Sequence, residues 1–213
     1  RMVKAGCRRI VFLPLYPHYA GATSATANDQ LFRALMAQKW QPSVRTCDPY
    51  FDRPDYVQAL AASVRHTLGD RKPGRLVASY HGMPKRYLLE GDPYHCHCQK
   101  TSRLLQERLV RPGLRFRTTF QSRFGPAKWL GPATDDTFAE EAQAGTKRLA
   151  VAAPGFSADC LETLEELAIQ GREQFTEAGG AQFAALSCLN TSAAGLDMLE
   201  TLLRRELSGW IPA

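Results

Sequence analysis

Two short segments carry residue types that can do chemistry together. In Ser79-Tyr80-His81-Gly82-Met83-Pro84, an apolar run, Leu76-Val77-Ala78, ends on a histidine followed by glycine and proline. Further on, Leu149 to Ala153 empties through Pro154-Gly155-Phe156 into Ser157-Ala158-Asp159-Cys160-Leu161-Glu162-Thr163-Leu164. An imidazole titrates near neutrality, so His81 can take a proton or offer a lone pair to a metal. A carboxylate such as Glu162 does the complementary task. In a parallel sheet, ligands gather beyond the carboxyl ends of the strands, so a His and a Glu placed just past two strand ends are expected to face one cleft. That pairing points to metal or proton chemistry.

Each residue also has a plainer reading. A lone histidine at a strand end can be satisfied by local hydrogen bonds. Glu162, Glu166 and Gln170 fall on one helical face with the leucines on another, and Glu165 and Glu173 nearby extend an ordinary solvated acidic face. Two like charges four residues apart cost a helix roughly 0.2–0.5 kcal/mol unless a cation or solvent offsets them. Asp159 reads as a helix cap, since a short acceptor at a helix start satisfies free amides. Tyr16, Trp129 and Phe156 fall in loops after strands, where aromatic faces either fill core or hold a flat ligand. His95-Cys96-His97-Cys98 offers four ligand types in a row, but adjacent residues rarely converge on one ion and no second pair is evident. Phosphate-binding glycine loops and the serine-hydrolase elbow are absent from the sequence.

The elements that must position these residues alternate. Brief apolar runs between breakers predict strands at 10–15, 76–80, 116–120, 149–153 and 183–187; three-four spacing predicts helices at 29–38, 55–68, 99–110, 135–144, 159–177 and 193–207. Residues 47–54 and 82–94 read as loops. The alternation argues for an α/β fold of parallel sheets flanked by helices.

Composition narrows the class. With 213 residues, 44% apolar and 23% charged, the chain has ordinary globular make-up. No apolar run approaches the roughly 20 residues of a spanning helix, and the first residues lack a signal-peptide pattern. Six cysteines without an export signal read as free thiols in a reducing cytoplasm. The net charge of +6 is carried by scattered arginines, which excludes a nucleic-acid module and suits an acidic small molecule or a peripheral membrane contact.

Both chemistry-bearing segments resemble the paired signatures of the ferrochelatases, of the bacterial type. Leu13-Pro14-Leu15-Tyr16-Pro17-His18-Tyr19, Glu90-Gly91-Asp92-Pro93-Tyr94 and Gln121 to Pro132 match in order and approximate spacing. The resemblance implies a lyase of haem and porphyrin biosynthesis, inserting Fe(II) into protoporphyrin IX with release of two protons. Porphyrin and ferrous iron are then its partners. It implies a chelatase-like two-domain fold whose first domain lies largely before Arg1. Residues 1–46 end that domain, 47–190 form the second, and 191–213 pack back on the first. On this basis His81 and Glu162 are catalytic and metal-binding, Glu166 and Cys160 belong to a metal path, and Tyr16, Trp129 and Phe156 bind substrate. Gln170 lacks the charge expected at the far end of that path. Gln121-Ser122-Arg123 shapes the cleft. No resident cofactor is expected: Gly21 stands where the animal-type [2Fe-2S] pattern has a cysteine. The fragment alone is expected to be inactive, because a macrocycle must be gripped on both faces. The rival readings are a cobalt chelatase and a noncatalytic porphyrin or haem carrier.

Overall fold

The computed structural model describes residues 1–69, 74–109 and 113–211. Strands β1 (Arg9–Phe12) and β2 (Ser43–Thr46) pair in parallel. Between them helix α1 opens as a π-helical turn at Gly21–Ala25 and runs as Thr26–Met36. The larger sheet alternates with helices: α2 (Pro54–Leu68), β3 (Arg75–His81), α3 (Lys85–Leu89), α4 (Tyr94–Leu109), β4 (Arg115–Gln121), α5 (Thr134–Gln143) and β5 (Arg148–Ala152). A π-helix, Glu162–Gln170, then continues as α6 (Gly171–Glu177) into β6 (Gln182–Ala185), and α7 (Ala193–Glu206) closes the series. This is the α/β architecture of parallel sheets flanked by helices that the alternation predicts.

The strand order of the larger sheet, β4-β3-β5-β6, all parallel, places the functional segments. From β3 the chain moves outward to β4, then returns to the other side of β3 and moves outward again to β6. The connections leaving β3 and β5 therefore diverge, and a crevice opens between them at the carboxyl edge of the sheet. His81 is the last residue of β3, and Glu162 follows β5.

Alternation along β3 decides which helix layer His81 meets. Leu76, Ala78 and Tyr80 pack towards α2 and α4 with Leu105, Tyr94 and Cys98. Val77 packs with Phe138 of α5, Leu167 of the π-helix and Phe175 of α6. Ser79 and His81 share the parity of Val77, so His81 emerges on the face that the π-helix covers.

Several elements differ from their sequence expectations. β2 and α3 were not predicted: each has only four or five residues and lacks a period long enough to read. The helix expected at 99–110 begins at Tyr94, so His95 to Cys98 form its first turn; Val110 lies outside the described residues. The helix expected from Asp159 begins at Glu162 with π geometry. Asp159 does not cap its amides. Its carboxylate accepts from the Cys188 amide, Asn190 Nδ2 and Thr163 Oγ1, tying the loop after β6 to the helix start. The final helix packs along α2 through Met198 and Leu202, while Arg45 of β2 donates to the carbonyls of Glu206, its last residue, and Ser208 just past it.

Candidate functional site

A cavity of about 520 Å³ opens at the carboxyl edge of the sheet, lined by His81, Ser122, Phe124, Glu162, Glu165, Glu166 and Gln170 among others. The two residues singled out for chemistry thus meet in one pocket, and Glu162, Glu166 and Gln170 line it together. A larger cavity, about 680 Å³, lies along edge strand β6 and carries neither a histidine nor a carboxylate. The chemistry assigns the smaller one.

His81 is fixed at both its backbone and its ring. Its Nδ1 donates to the Gly82 carbonyl at 2.8 Å, because a carbonyl can only accept; the lone pair is thereby left on Nε2. The buried Tyr94 hydroxyl donates to the His81 carbonyl at 3.0 Å. Glu162 is half-buried. A hydrogen bond from the Cys160 thiol, then its own backbone amide, then the His81 charge hold its carboxyl below the usual range, outweighing desolvation. Burial and the Glu162 carboxylate both push the Cys160 thiol up. Cys160 therefore acts as a donor to Glu162 and makes a poor thiolate ligand. It does not line the cavity.

Among the glutamates that line the cavity, Glu166 has three hydrogen-bond donors on its carboxylate. The Ser122 amide reaches its Oε1 at 2.6 Å, and Ser122 Oγ and Gln121 Nε2 reach Oε2 at 2.5 and 3.2 Å. Ser122 adopts φ of 60° to aim both its groups there, a conformation non-glycine residues seldom take. Ser122 lines the cleft, as the sequence suggests for Gln121-Ser122-Arg123, and with Gln121 it also holds a carboxylate. A Gln-Ser pair just past a strand end was the available signal, and only the fold supplies its partner.

The helix bearing these carboxylates is π-helical over nine residues, with the Gly171 amide donating to the Glu166 carbonyl. Such i→i+5 segments are rare and concentrate at functional sites. Gly171 ends the π segment where a Cβ would stand 2.7 Å from the Phe138 ring, so the helix passes close over α5. Among the described residues no group of three or more His, Cys, Asp or Glu side chains is gathered as a metal cage. The pocket offers His81 and Glu162 as an open pair.

Tyr16, Trp129 and Phe156 lie outside the cavity wall. Phe156 stands 6.4 Å from His81, ring centre to ring centre. Trp129 packs against Gly82 beside it and donates from Nε1 to the Phe124 carbonyl. The Tyr16 loop is tied to the Phe156 loop because Ser157 Oγ donates to the Leu15 carbonyl at 2.7 Å. Two apolar side chains that sequence reasoning missed stand over the cavity: Phe124, 77% exposed, and Leu161, 75% exposed.

A family model described as Ferrochelatase matches residues 1–207. The chain belongs to the ferrochelatase family. It is 53% identical over 210 residues to the ferrochelatase of Rhizobium meliloti (strain 1021), covering 98% of this chain and 62% of that relative. To the ferrochelatase of Rhodobacter capsulatus it is 56% identical over 212 residues, covering 99% and 60% respectively. The chain thus spans less than two thirds of the length of these curated relatives. In fold it is similar to SirB from Bacillus subtilis with Fe3+, with a TM-score of 0.70 at 15% identity over 98% of this chain and 76% of that one. It is similar also to CbiX, the terminal enzyme for biosynthesis of siroheme in denitrifying bacteria, with a TM-score of 0.59 at 15% identity over 93% and 76%. At such identity the likeness is one of fold. Among the described residues, no helix is long and apolar enough to cross a membrane.

Proposed function

We infer that this chain is the metal-handling part of a ferrochelatase that inserts Fe(II) into protoporphyrin IX in the cytoplasm. The observation that carries this reading is the meeting of His81 and Glu162 in one pocket of a family member, under an exposed apolar rim. A flat macrocycle laid on Phe124, Leu161 and the neighbouring Phe156 and Trp129 loops would bring its centre towards His81. Binding energy from that apolar contact is available to bend the ring and expose its nitrogen lone pairs.

The arriving macrocycle carries two N–H protons, and the metal enters with charge +2, so two protons must leave. The Nε2 lone pair of His81 is placed by the Nδ1 bond to receive a proton. Glu162, held ionised, suits a divalent cation on its way to the ring or the second proton. Glu166 and Gln170 continue along the same wall. The 213-residue chain alone turns over little: the Thr26–Met36 run of α1 has no buried residue and leaves Phe32 and Met36 exposed, as the surface of an incomplete domain would.

The test is metal insertion by the whole protein, followed by absorption with Fe(II), Co(II) and Zn(II) and with protoporphyrin or coproporphyrin. Fe(II) insertion into protoporphyrin supports the reading. Selective Co(II) insertion would make it a cobalt chelatase, and tight porphyrin binding without turnover would make it a carrier.

A further inference from the structure

We propose that Gln121 is a positioning residue that sets the distance between the His81 strand and the carboxylate-bearing π-helix. This rests on the metal-insertion reading and adds to it a part for a buried neutral side chain.

Gln121 is the ladder partner of His81, so its side chain leaves β4 beside the histidine. It is 2% exposed, and every polar atom of its amide is engaged. Oε1 accepts from Ser79 Oγ at 2.8 Å, two residues before His81 on the same face of β3. Nε2 donates to the Glu162 carbonyl at 2.8 Å and to Glu166 Oε2 at 3.2 Å. One rigid planar group therefore grips the strand that carries the histidine at one end and the first turn of the helix that carries both carboxylates at the other.

The strand end of this bridge is anchored in turn. Ser79 Oγ lies 2.8 Å from Thr134 Oγ1, which lies 2.8 Å from Thr119 Oγ1, and all three residues are buried. A hydroxyl chain of this kind in an apolar interior is costly to break, because each atom left without a partner pays its desolvation in full. The π-helix has no side-chain cap of its own at its N-terminal end. Gln121, the last residue of β4, and Ser122 just past it supply its attachment instead. Metal transfer between two groups on different elements depends on their separation, and a displacement of about 1 Å can cost a reaction on the order of a hundredfold.

The experiment uses the whole protein with Gln121→Met, which keeps shape and burial but removes both ends of the bridge. Steady-state Zn(II) insertion, protoporphyrin affinity by fluorescence quenching, thermal unfolding and amide hydrogen exchange over residues 162–170 are compared with wild type. The expected result is kcat lower by about tenfold or more with a raised metal KM. Porphyrin affinity should stay within about twofold, and exchange over 162–170 should be faster. Should Gln121→Met fail to fold, Ser79→Ala cuts only the strand end and is expected to move the same quantities in the same direction. Unchanged metal KM and unchanged exchange in a folded variant overturn the proposal. So does a loss confined to porphyrin affinity. If wild-type protein inserts no metal, the functional reading fails, while the exchange measurement still decides whether Gln121 holds the helix.

Discussion

The Gly82 amide donates to the Gln121 carbonyl at 2.7 Å, and a Cβ on residue 82 would stand 2.5 Å from that same oxygen. The ladder between β3 and β4 is thereby carried one residue past His81 only because residue 82 has no side chain. The same vacancy receives the Trp129 ring, whose nearest atom would be 3.1 Å from the added carbon. His81, Gln121 and Trp129 are thus held in one knot.

Gly82→Ala is expected to destabilise the protein by about 1–3 kcal/mol, the usual cost of overpacking against groups that cannot retreat. The obstruction here is backbone, so the strand ends must part, and the bridge from Gln121 to Glu162 must shift with them. Urea unfolding together with Zn(II) insertion checks this. Wild-type stability with wild-type turnover would mean that the strand ends part without consequence.

His81→Ala in the whole protein should leave the melting temperature within a few degrees, because the side chain is half-buried and, among the described residues, its ring hydrogen-bonds only to the neighbouring Gly82 carbonyl. Metal insertion should fall by about 10²–10⁴-fold, the range a positioned acid-base group supplies. Glu162→Gln should lower the rate while preserving porphyrin affinity, since Glu162 faces the histidine pocket and not the aromatic loops. Near-normal turnover in either variant would remove that residue from the mechanism.

The alternating pattern made the sheet legible, and with it the meeting of His81 and Glu162, because strand-end placement follows from topology. The shared wall of Glu162, Glu166 and Gln170 was legible as well, since residues four apart stay on one side in α- or π-helices. What stayed hidden depends on distant partners. Asp159 looked like a cap because Asp at a helix start is one, yet Asn190 and the Cys188 amide claimed it. Ser122 gave no sign of the left-handed backbone that aims it at Glu166. His95 to Cys98 showed in the sequence only that neighbours in a row rarely converge on one ion; the helical start at Tyr94, which splits their side chains between solvent and core, lay outside the predicted helix.

That split bears on iron-sulfur chemistry. Cys96 is exposed and Cys98 is fully buried, its thiol pushed well up chiefly by burial. Cluster ligation needs thiolates converging on one centre. Protein purified without oxygen is therefore expected to show no stoichiometric iron and sulfide and no charge-transfer absorption in the visible. A [2Fe-2S] signal lost on Cys98→Ser would overturn this.

His18 predicts a pH dependence of stability. The ring is buried among Tyr56, Tyr80, Tyr94 and Phe51. Its Nε2 donates to Thr101 Oγ1 at 2.9 Å, since the Thr101 hydroxyl is spent on the Phe51 carbonyl, and Nδ1 has no partner. Desolvation, then the nearby His97, lower its pKa to about 3. The unfolded chain binds a proton there near pH 6.5, whereas the folded chain does not until about pH 3. Between those values the unfolded state holds more protons, so stability rises with pH across this window and is lost on acidification from neutrality. The slope from this one group approaches about 1.4 kcal/mol per pH unit at most. His95 and His97, also lowered mainly by burial, act in the same sense. Urea unfolding of the whole protein at pH 7, 6, 5 and 4.5 should show the decline, and His18→Gln, which keeps a donor for Thr101, should flatten it. An unchanged slope in that variant would show that the buried ring is not what ties stability to pH.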